Sequence, residues 1–133
     1  MVREIEFRAW LKYQKEMVGV TTIDFKKGYV LIDKPYFPKI PEYYGTALLF
    51  DQIELMQYTG LKDKNGVKIF EGDIVKAVGY PAIDVIYDKE SCSFKMKVQY
   101  IGWEDLLILS SNKTPHLEII GNIYENKELL ENA

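Results

Sequence analysis

The side chains whose types and spacing suit chemistry best are two carboxylates, Glu71 and Asp73, on either side of Gly72. Residues two apart in an extended chain face the same side, so this pair could bind a metal ion or act in acid–base catalysis. A Glu-Gly-Asp segment also forms a sharp corner, because glycine can reverse the chain and an aspartate can accept backbone N–H groups. We expect Glu71 and Asp73 to form a turn and not a metal or catalytic site, because no second cluster of histidines or carboxylates in the sequence must lie close enough to complete one.

Two other arrangements fail as catalytic or metal sites. Cys92 and His116 are the single cysteine and the single histidine, and nothing in the sequence requires them to meet, as a nucleophile and its base must. The polar run that begins at Asp63 resembles a calcium loop, but its sixth position is Lys68 instead of glycine and its twelfth is Ile74 instead of glutamate. We therefore expect no catalytic residue, metal or cofactor, and the protein is predicted not to be an enzyme.

Aromatic and basic side chains suggest two interaction surfaces. Between residues 33 and 45, three prolines disfavour regular structure, and the aromatic residues among them either cap the fold or contact a partner: Tyr36, Phe37, Tyr43 and Tyr44. A second patch combines Tyr58 with Lys62 and Lys64, a composition that can also bind nucleic acid. Residues 51–133 nevertheless hold nine Lys/Arg against fourteen Asp/Glu, and this acidic balance disfavours nonspecific phosphate binding.

The elements that must position these residues are organised around the stretch from Leu55 to Val75. Two tight corners within about fifteen residues, each flanked by β-formers, are typical of a small, strongly bent antiparallel barrel. The turn residues of this stretch are Gly60, Asp63, Asn65, Gly66, Glu71, Gly72 and Asp73. Asn-Gly is a strong hairpin signal, because both residues tolerate positive φ.

The same stretch resembles the signature of the YopX family of bacteriophage and prophage proteins. The matching blocks are residues 3–5 and 7–10, residues 57–66 and 69–75, and residues 120–126 with 129–130, the last including the turn Gly121-Asn122. The pattern departs mildly at Phe70, where tyrosine is expected, and at Lys127, where proline is common. The resemblance implies an SH3-type β-barrel and a phage origin; it implies no established activity, catalytic residue or cofactor.

Hydrophobic periodicity predicts a mainly β chain. We expect an N-terminal hairpin from residues 2–10 and 17–23, a short strand at 29–32, and strands at 74–78, 82–87, 93–100, 106–109 and 117–124, the strand at 106–109 being buried. Asn126 is predicted to cap a helical turn that runs to Leu130. Residues 46–58 fit either a helix or a strand, and we favour a helical turn at 47–51 followed by a strand.

Size and composition indicate a single domain over residues 1–133, with an N-terminal extension and loop at 1–45 and the barrel at 46–133. One cysteine excludes an intrachain disulfide, which favours a reducing compartment, the cytoplasm of a bacterial host. No run approaches the ~18 apolar residues of a membrane span, so no membrane association is expected.

These observations predict a noncatalytic β-barrel module of a phage or prophage that binds itself and an unidentified phage or host protein. The motivation is a chain with few catalytic side chains, ten tyrosines, and a small barrel whose sheet edges invite pairing. The alternative is a nucleic-acid-binding accessory protein of phage DNA or RNA metabolism. An enzyme that uses Glu71 and Asp73 is the third hypothesis.

Overall fold

A computed structural model describes residues 3–33 and 47–131. Within these ranges the chain is mainly β, as the sequence predicts, and forms two antiparallel sheets. The elements are β1 (Phe7–Leu11), β2 (Glu16–Asp24), β3 (Tyr29–Ile32), β4 (Ala47–Leu49), β5 (Ile53–Lys62), β6 (Lys68–Phe70), β7 (Asp73–Lys76), β8 (Ile83–Asp88), β9 (Ser93–Tyr100), β10 (Trp103–Ile108), β11 (Glu118–Asn122) and α1 (Glu128–Glu131). One sheet has the order β4-β3-β2-β1-β5-β6, and the other has the order β10-β9-β8-β7-β11.

The first of two compact units comprises residues Glu4–Gln57. The predicted pairing is confirmed, because β1 and β2 pair antiparallel with Arg8 opposite Gly19 and Leu11 opposite Glu16. The first strand is shorter than predicted, since residues 3–6 lie outside β1. The first half of β5 pairs on the other side of β1. A core of buried apolar side chains fills this unit: Ala9, Leu11, Val18, Val30, Ile32, Leu48 and Ile53.

The ambiguous stretch before the organising motif combines both alternatives. Ala47–Leu49 is a strand, a 3-10 turn covers Phe50–Gln52, and β5 then begins at Ile53. The helical turn overlaps the predicted range of 47–51 only at residues 50 and 51, because residues 47–49 form a strand in which Leu48 pairs with Val30. Residues 47–57 belong with the N-terminal unit, since β4 pairs with β3 and the first half of β5 pairs with β1, whereas the sequence interpretation grouped them with the barrel.

The second unit runs from Tyr58 onward. The second half of β5 forms a hairpin with β6, and β7 to β10 form a meander whose first strand also pairs with β11. Its core consists of Ile69, Val75, Ile83, Val85, Met96, Val98, Leu109 and Leu117. Among the described strands no pairing joins β10 to β11, so the sheet stays open and a closed barrel is not formed.

The strand predicted at residues 106–109 differs from its expected form. β10 begins at Trp103 instead of Leu106, and two of the four residues predicted to be buried are exposed, Leu106 by 41% and Ile108 by 62%. Only Leu109, just past its end, is buried at 8% exposure. The expected buried strand is therefore an edge strand of the sheet. No helix in the described part of the chain is long and apolar enough to cross a membrane.

Candidate functional site

The Asp63 carboxylate closes the turn between β5 and β6. Its Oδ1 accepts the N–H groups of Asn65 and Val67, each at 2.9 Å, and its Oδ2 accepts the N–H of Ile119 at 3.0 Å. Because Ile119 lies on β11, one side chain both shapes the hairpin and anchors the last strand. Gly66 follows at a φ of +78°, a conformation that glycine adopts without a steric penalty.

These contacts decide the ionisation of Asp63, whose side chain is only 6% exposed. Burial acts to raise its pKa, but the N–H donors of Ile119, Val67 and Asn65, with the charge of Lys64, outweigh burial and lower the pKa below its ordinary value. Asp63 is therefore ionised and acts as a structural latch, by which we mean that its carboxylate joins the β5–β6 turn to β11. No group of three or more His, Cys, Asp or Glu side chains in the described residues is placed to hold a metal ion.

The segment Glu71-Gly72-Asp73 forms a corner between β6 and β7. Asp73 is 3% exposed, and its Oδ2 accepts the N–H of Phe70 at 2.8 Å. Gly72 has a φ of +88°, donates to the Val85 carbonyl at 2.8 Å and accepts the Ile123 N–H at 2.9 Å. Asp73 thus faces the protein backbone and not a solvent-accessible site, while Glu71 is half-buried.

The Gly121-Asn122 block forms a matching turn at the end of β11. Asn122 Oδ1 accepts the N–H groups of Tyr124 and Glu125 at 3.0 and 2.9 Å. The Asn126 side chain does not cap α1; its Oδ1 instead accepts the Asn122 N–H at 3.2 Å. A Cβ atom at Gly121 would lie 2.5 Å from that Asn126 oxygen, so the glycine is required by close approach.

The predicted basic–aromatic patch is divided by burial. Tyr58 is 4% exposed and packs on Phe70 with ring centroids 5.6 Å apart, and the Lys68 ammonium lies 5.4 Å from the Tyr58 ring. Lys62 and Lys64 are exposed, and Lys64 pairs with Glu118 at 3.4 Å. Tyr58 therefore offers no face on which a nucleic-acid base could stack.

The remaining sequence-predicted residues are the aromatic candidates of residues 33–45 and the pair Cys92 and His116. The aromatic candidates Tyr36, Phe37, Tyr43 and Tyr44 lie outside the described residues. Cys92 is exposed in the β8–β9 turn and donates to the Lys89 carbonyl at 3.5 Å, and His116 is exposed at the end of a 3-10 turn. No hydrogen bond in the described part of the chain joins Cys92 to His116.

The outer edge of β10 is a surface that sequence reasoning missed. Trp103, Leu106 and Ile108 are 58%, 41% and 62% exposed, and Ile101 in the preceding turn is 93% exposed. Trp103 is held in place by stacking on Tyr100, with ring centroids 4.2 Å apart and the rings only 13° from parallel. Leu106 and Ile108 lie on one face of β10 and Trp103 on the other, because side chains alternate along a strand. We call these four residues, Ile101, Trp103, Leu106 and Ile108, the β10 surface.

The ladder fixes which backbone groups this edge presents. Leu109 donates to the Phe94 carbonyl at 3.4 Å on the β9 side. Because hydrogen-bonded positions alternate in an antiparallel ladder, the backbone groups of residues 103, 105 and 107 also face β9. The N–H and C=O groups of Glu104, Leu106 and Ile108 therefore point away from the sheet. Consistent with this, the Ile108 carbonyl accepts the Lys113 ammonium at 2.8 Å.

A second feature without a sequence signal is Asp84 on β8. One of its carboxylate oxygens is buried without a hydrogen-bond partner, and burial raises the pKa of Asp84 to about 6, although the charge of Lys97 opposes the rise. Asp84 lies directly opposite Lys97 on β9 and lines a cavity of about 460 Å³ with Gln99, Tyr100, Lys127 and Leu130.

Comparison with known protein families identifies one match. A family model described as "YopX protein" matches residues 6–131, nearly the whole chain. The chain belongs to the YopX family. Three chains of solved structures match this YopX-family protein. One is described as the crystal structure of protein EF1440 from Enterococcus faecalis, with 31% sequence identity and a TM-score of 0.65, over 97% of this chain and 99% of that one. No curated protein matches.

The two departures from the YopX signature have clear structural places. Phe70 is 8% exposed beside Tyr58, where a phenylalanine packs without needing a partner for a hydroxyl group. Lys127 is exposed just before α1 and lines the cavity of Asp84, where proline would place no charge. In this YopX-family chain the cavity that Asp84 lines therefore includes a lysine at this position.

Proposed function

We propose that this YopX-family protein is a noncatalytic binding module that associates with a second copy of itself through the free edge of β10. The observation that carries the proposal is the β10 surface, an edge strand with exposed apolar side chains and outward backbone groups. Sheet edges pair readily with another strand unless charges or proline blunt them. β10 carries two carboxylates, Glu104 and Asp105, and Glu104 pairs with Lys97 of its own sheet at 3.4 Å. Main-chain hydrogen bonds would supply affinity, and the apolar side chains would supply the buried area.

Symmetry selects the register of the pairing. In an isologous antiparallel pair the two-fold axis is perpendicular to the sheet, so one residue lies opposite its own copy. Equivalent faces of the two sheets then lie on the same side of the combined sheet. A register centred on Leu106 uses residues 104–108, all within β10. It places Leu106 opposite its own copy and Glu104 opposite Ile108, so no carboxylate faces a carboxylate. In this arrangement Lys113 releases the Ile108 carbonyl, which then accepts the Glu104 N–H of the second copy.

The wider biological setting belongs to the same proposal. We propose a phage or prophage origin and action in the cytoplasm of a bacterial host, where an exposed free thiol such as Cys92 is stable. An unidentified phage or host protein is the second proposed partner. The strand order β11-β7-β8-β9-β10, in which the last strand returns to the first strand of a meander, supports an SH3-type arrangement of the second unit.

Neither alternative function gains a specific observation. Nucleic-acid binding at Tyr58, Lys62 and Lys64 loses its stacking platform, because Tyr58 is buried. Acid–base catalysis by Glu71 and Asp73 loses an accessible pair, because Asp73 bonds the Phe70 backbone. Turn formation and packing explain both groups of residues. Binding through β10 is therefore the function that the exposed apolar side chains favour.

Light scattering coupled to gel filtration over a range of protein concentrations tests the proposal. We expect the mass to rise from that of one chain, 15.5 kDa, towards twice that value as concentration increases. The variant Leu106→Pro removes an outward N–H without breaking the ladder to β9, so it should remain folded and monomeric. The matched variant Leu107→Pro removes a bond to β9 and should unfold or lose most of its stability.

Three results would contradict the self-pairing proposal. The first is a wild-type mass of one chain up to millimolar concentration. The second is a dimer that Leu106→Pro leaves intact, because the contact would then lie elsewhere. The third is equal stability of the Leu106→Pro and Leu107→Pro variants, which would show that the alternation of backbone groups along β10 is assigned incorrectly. A tagged pull-down from infected host cells, with and without nuclease, separately tests the phage or host partner.

A further inference from the structure

A second cavity, of about 550 Å³, opens at one end of the core of the second unit. Its walls include four apolar side chains that also belong to or pack on the core: Ile83, Met96, Leu107 and Leu117. This volume lies within the range of roughly 300–1,000 Å³ that is typical of small-molecule sites. All the described residues that line the cavity belong to the second unit.

The charged side chains that line this cavity have one sign. The two lysines are Lys64 and Lys113, which lie at its rim with the polar side chains of Asn112 and His116, and neither aspartate nor glutamate is among the described lining residues. This is unusual for a chain with 20 acidic and 17 basic residues. An apolar wall next to a cationic rim complements a ligand with an apolar body and an anionic end.

The rim cations are positioned but not neutralised. The Lys113 ammonium donates to the Ile108 carbonyl at 2.8 Å, a contact that fixes its place without cancelling its charge. Lys64 lies 3.4 Å from Glu118, but both side chains are about half exposed, and ion pairs of that kind are weak. An entering anion can therefore gain from both lysines without first breaking a strong salt bridge.

We propose that this cavity binds a small amphipathic carboxylate. The alkyl or aryl body lies against Met96 and Leu107, and the carboxylate accepts hydrogen bonds from Lys113 and the other rim donors. Charge-assisted hydrogen bonds would compensate the dehydration of the carboxylate, and the apolar floor would favour the body. Self-pairing uses the outward backbone groups of residues 104, 106 and 108, so among the described residues the two sites share only the Lys113 side chain, whose contact with the Ile108 carbonyl is released on pairing.

Two probes of equal length test the charge preference. Octanoate and octylammonium carry the same apolar body with opposite charges, and both are used below the concentrations at which they form micelles. The methyl resonance of Met96 reports the cavity, while that of Met56, in the other unit, serves as an internal reference. We expect octanoate to shift Met96 saturably, with at least tenfold tighter binding than octylammonium and no matching change at Met56.

A near-isosteric substitution tests the rim. Asn112→Asp adds one negative charge and keeps the Oδ1 atom that accepts the Ser110 hydroxyl. It should weaken octanoate about fivefold or more and leave n-octanol unchanged, because only the charged ligand meets repulsion. Gln99→Glu adds the same charge on the opposite face of the sheet, since Gln99 follows the core residue Val98, and should leave octanoate binding unchanged.

Each contrary result overturns the inference. Absence of a saturable Met96 shift with octanoate excludes the site. Equal binding of octanoate and octylammonium excludes an anion preference, and equal losses in Asn112→Asp and Gln99→Glu exclude a role for the rim. The gel-filtration mass measured on the same samples keeps this result separate from self-pairing, which can fail or succeed independently.

Discussion

Replacing Asp63 with alanine tests how much of the fold depends on one buried carboxylate. The change removes the acceptor of three backbone N–H groups, those of Asn65, Val67 and Ile119. A buried donor left without a partner costs about 1–3 kcal/mol. Asn65 and Val67 are exposed residues whose N–H groups water can reach, whereas Ile119 is half-buried on β11. We therefore expect a loss of about 3 kcal/mol in the free energy of unfolding.

The conservative variant Asp63→Asn separates charge from shape. Its amide oxygen can keep the two bonds to Asn65 and Val67, but its NH₂ group then faces the Ile119 N–H, and two donors repel. The loss should be about 1–2 kcal/mol, between wild type and the alanine variant. Asp51→Ala, at an exposed aspartate, serves as the control and should change stability by less than about 0.5 kcal/mol.

The pH dependence provides a second test of the same latch. The pKa of Asp63 in the folded protein lies below its ordinary value of 3.8, so folding favours the ionised form. Its contribution to stability is therefore present above pH 3.8 and is lost as pH falls through the lower, folded pKa. Urea unfolding at pH 7 and at pH 3 should show a smaller difference between wild type and Asp63→Asn at pH 3. An Asp63→Ala loss below about 1 kcal/mol at pH 7 would refute the reasoning.

Three further changes follow from the site geometry. Gly72→Val should cost about 3 kcal/mol or more, because a β-branched residue is strained at a φ of +88°; unfolding curves that match wild type would contradict this. Gly121→Ala should destabilise through the Cβ contact with Asn126, and the double variant with Asn126→Gly should recover part of the loss; an unchanged loss would place the strain elsewhere. Asp84→Asn should raise stability by about 1 kcal/mol at pH 8, after allowance for solvent screening. The pKa of Asp84 is about 6 in the folded protein and 3.8 in the unfolded chain, so ionisation of Asp84 lowers the free energy of unfolding as pH rises above 3.8. The stability gained by Asp84→Asn should therefore vanish near pH 4 in urea unfolding.

Local signals predicted the turns and most strands because those features depend on nearby residues. The Asn65-Gly66 pair and the Glu71-Gly72-Asp73 corner need particular φ values and short-range acceptors, and those requirements are visible in residue type. The alternation in residues 93–100 likewise gave β9 its observed bounds. Alternation of apolar and polar residues also predicted the strands of the N-terminal hairpin.

Burial and sheet position could not be predicted in the same way. The run Leu106-Leu107-Ile108-Leu109 suggested a buried strand, but a continuous apolar run does not show whether a strand lies at the centre or the edge of its sheet. Tyr58 was expected to be exposed, although cross-strand pairing places it against Phe70. The sequence contains no signal for Asp84, because its pKa is raised by burial on folding and not by a sequence motif.

The β10 edge is tested most directly by amide hydrogen exchange at single residues as a function of protein concentration. At low concentration the Leu106 amide should exchange quickly, because it points away from β9, while the Asp105 and Leu107 amides should be protected by the ladder. At high concentration the account predicts that Leu106 gains protection and its two neighbours change little. Leu106 exchange that is fast at every concentration would contradict self-pairing through β10, and a protected Leu106 at the lowest concentration would contradict its outward orientation.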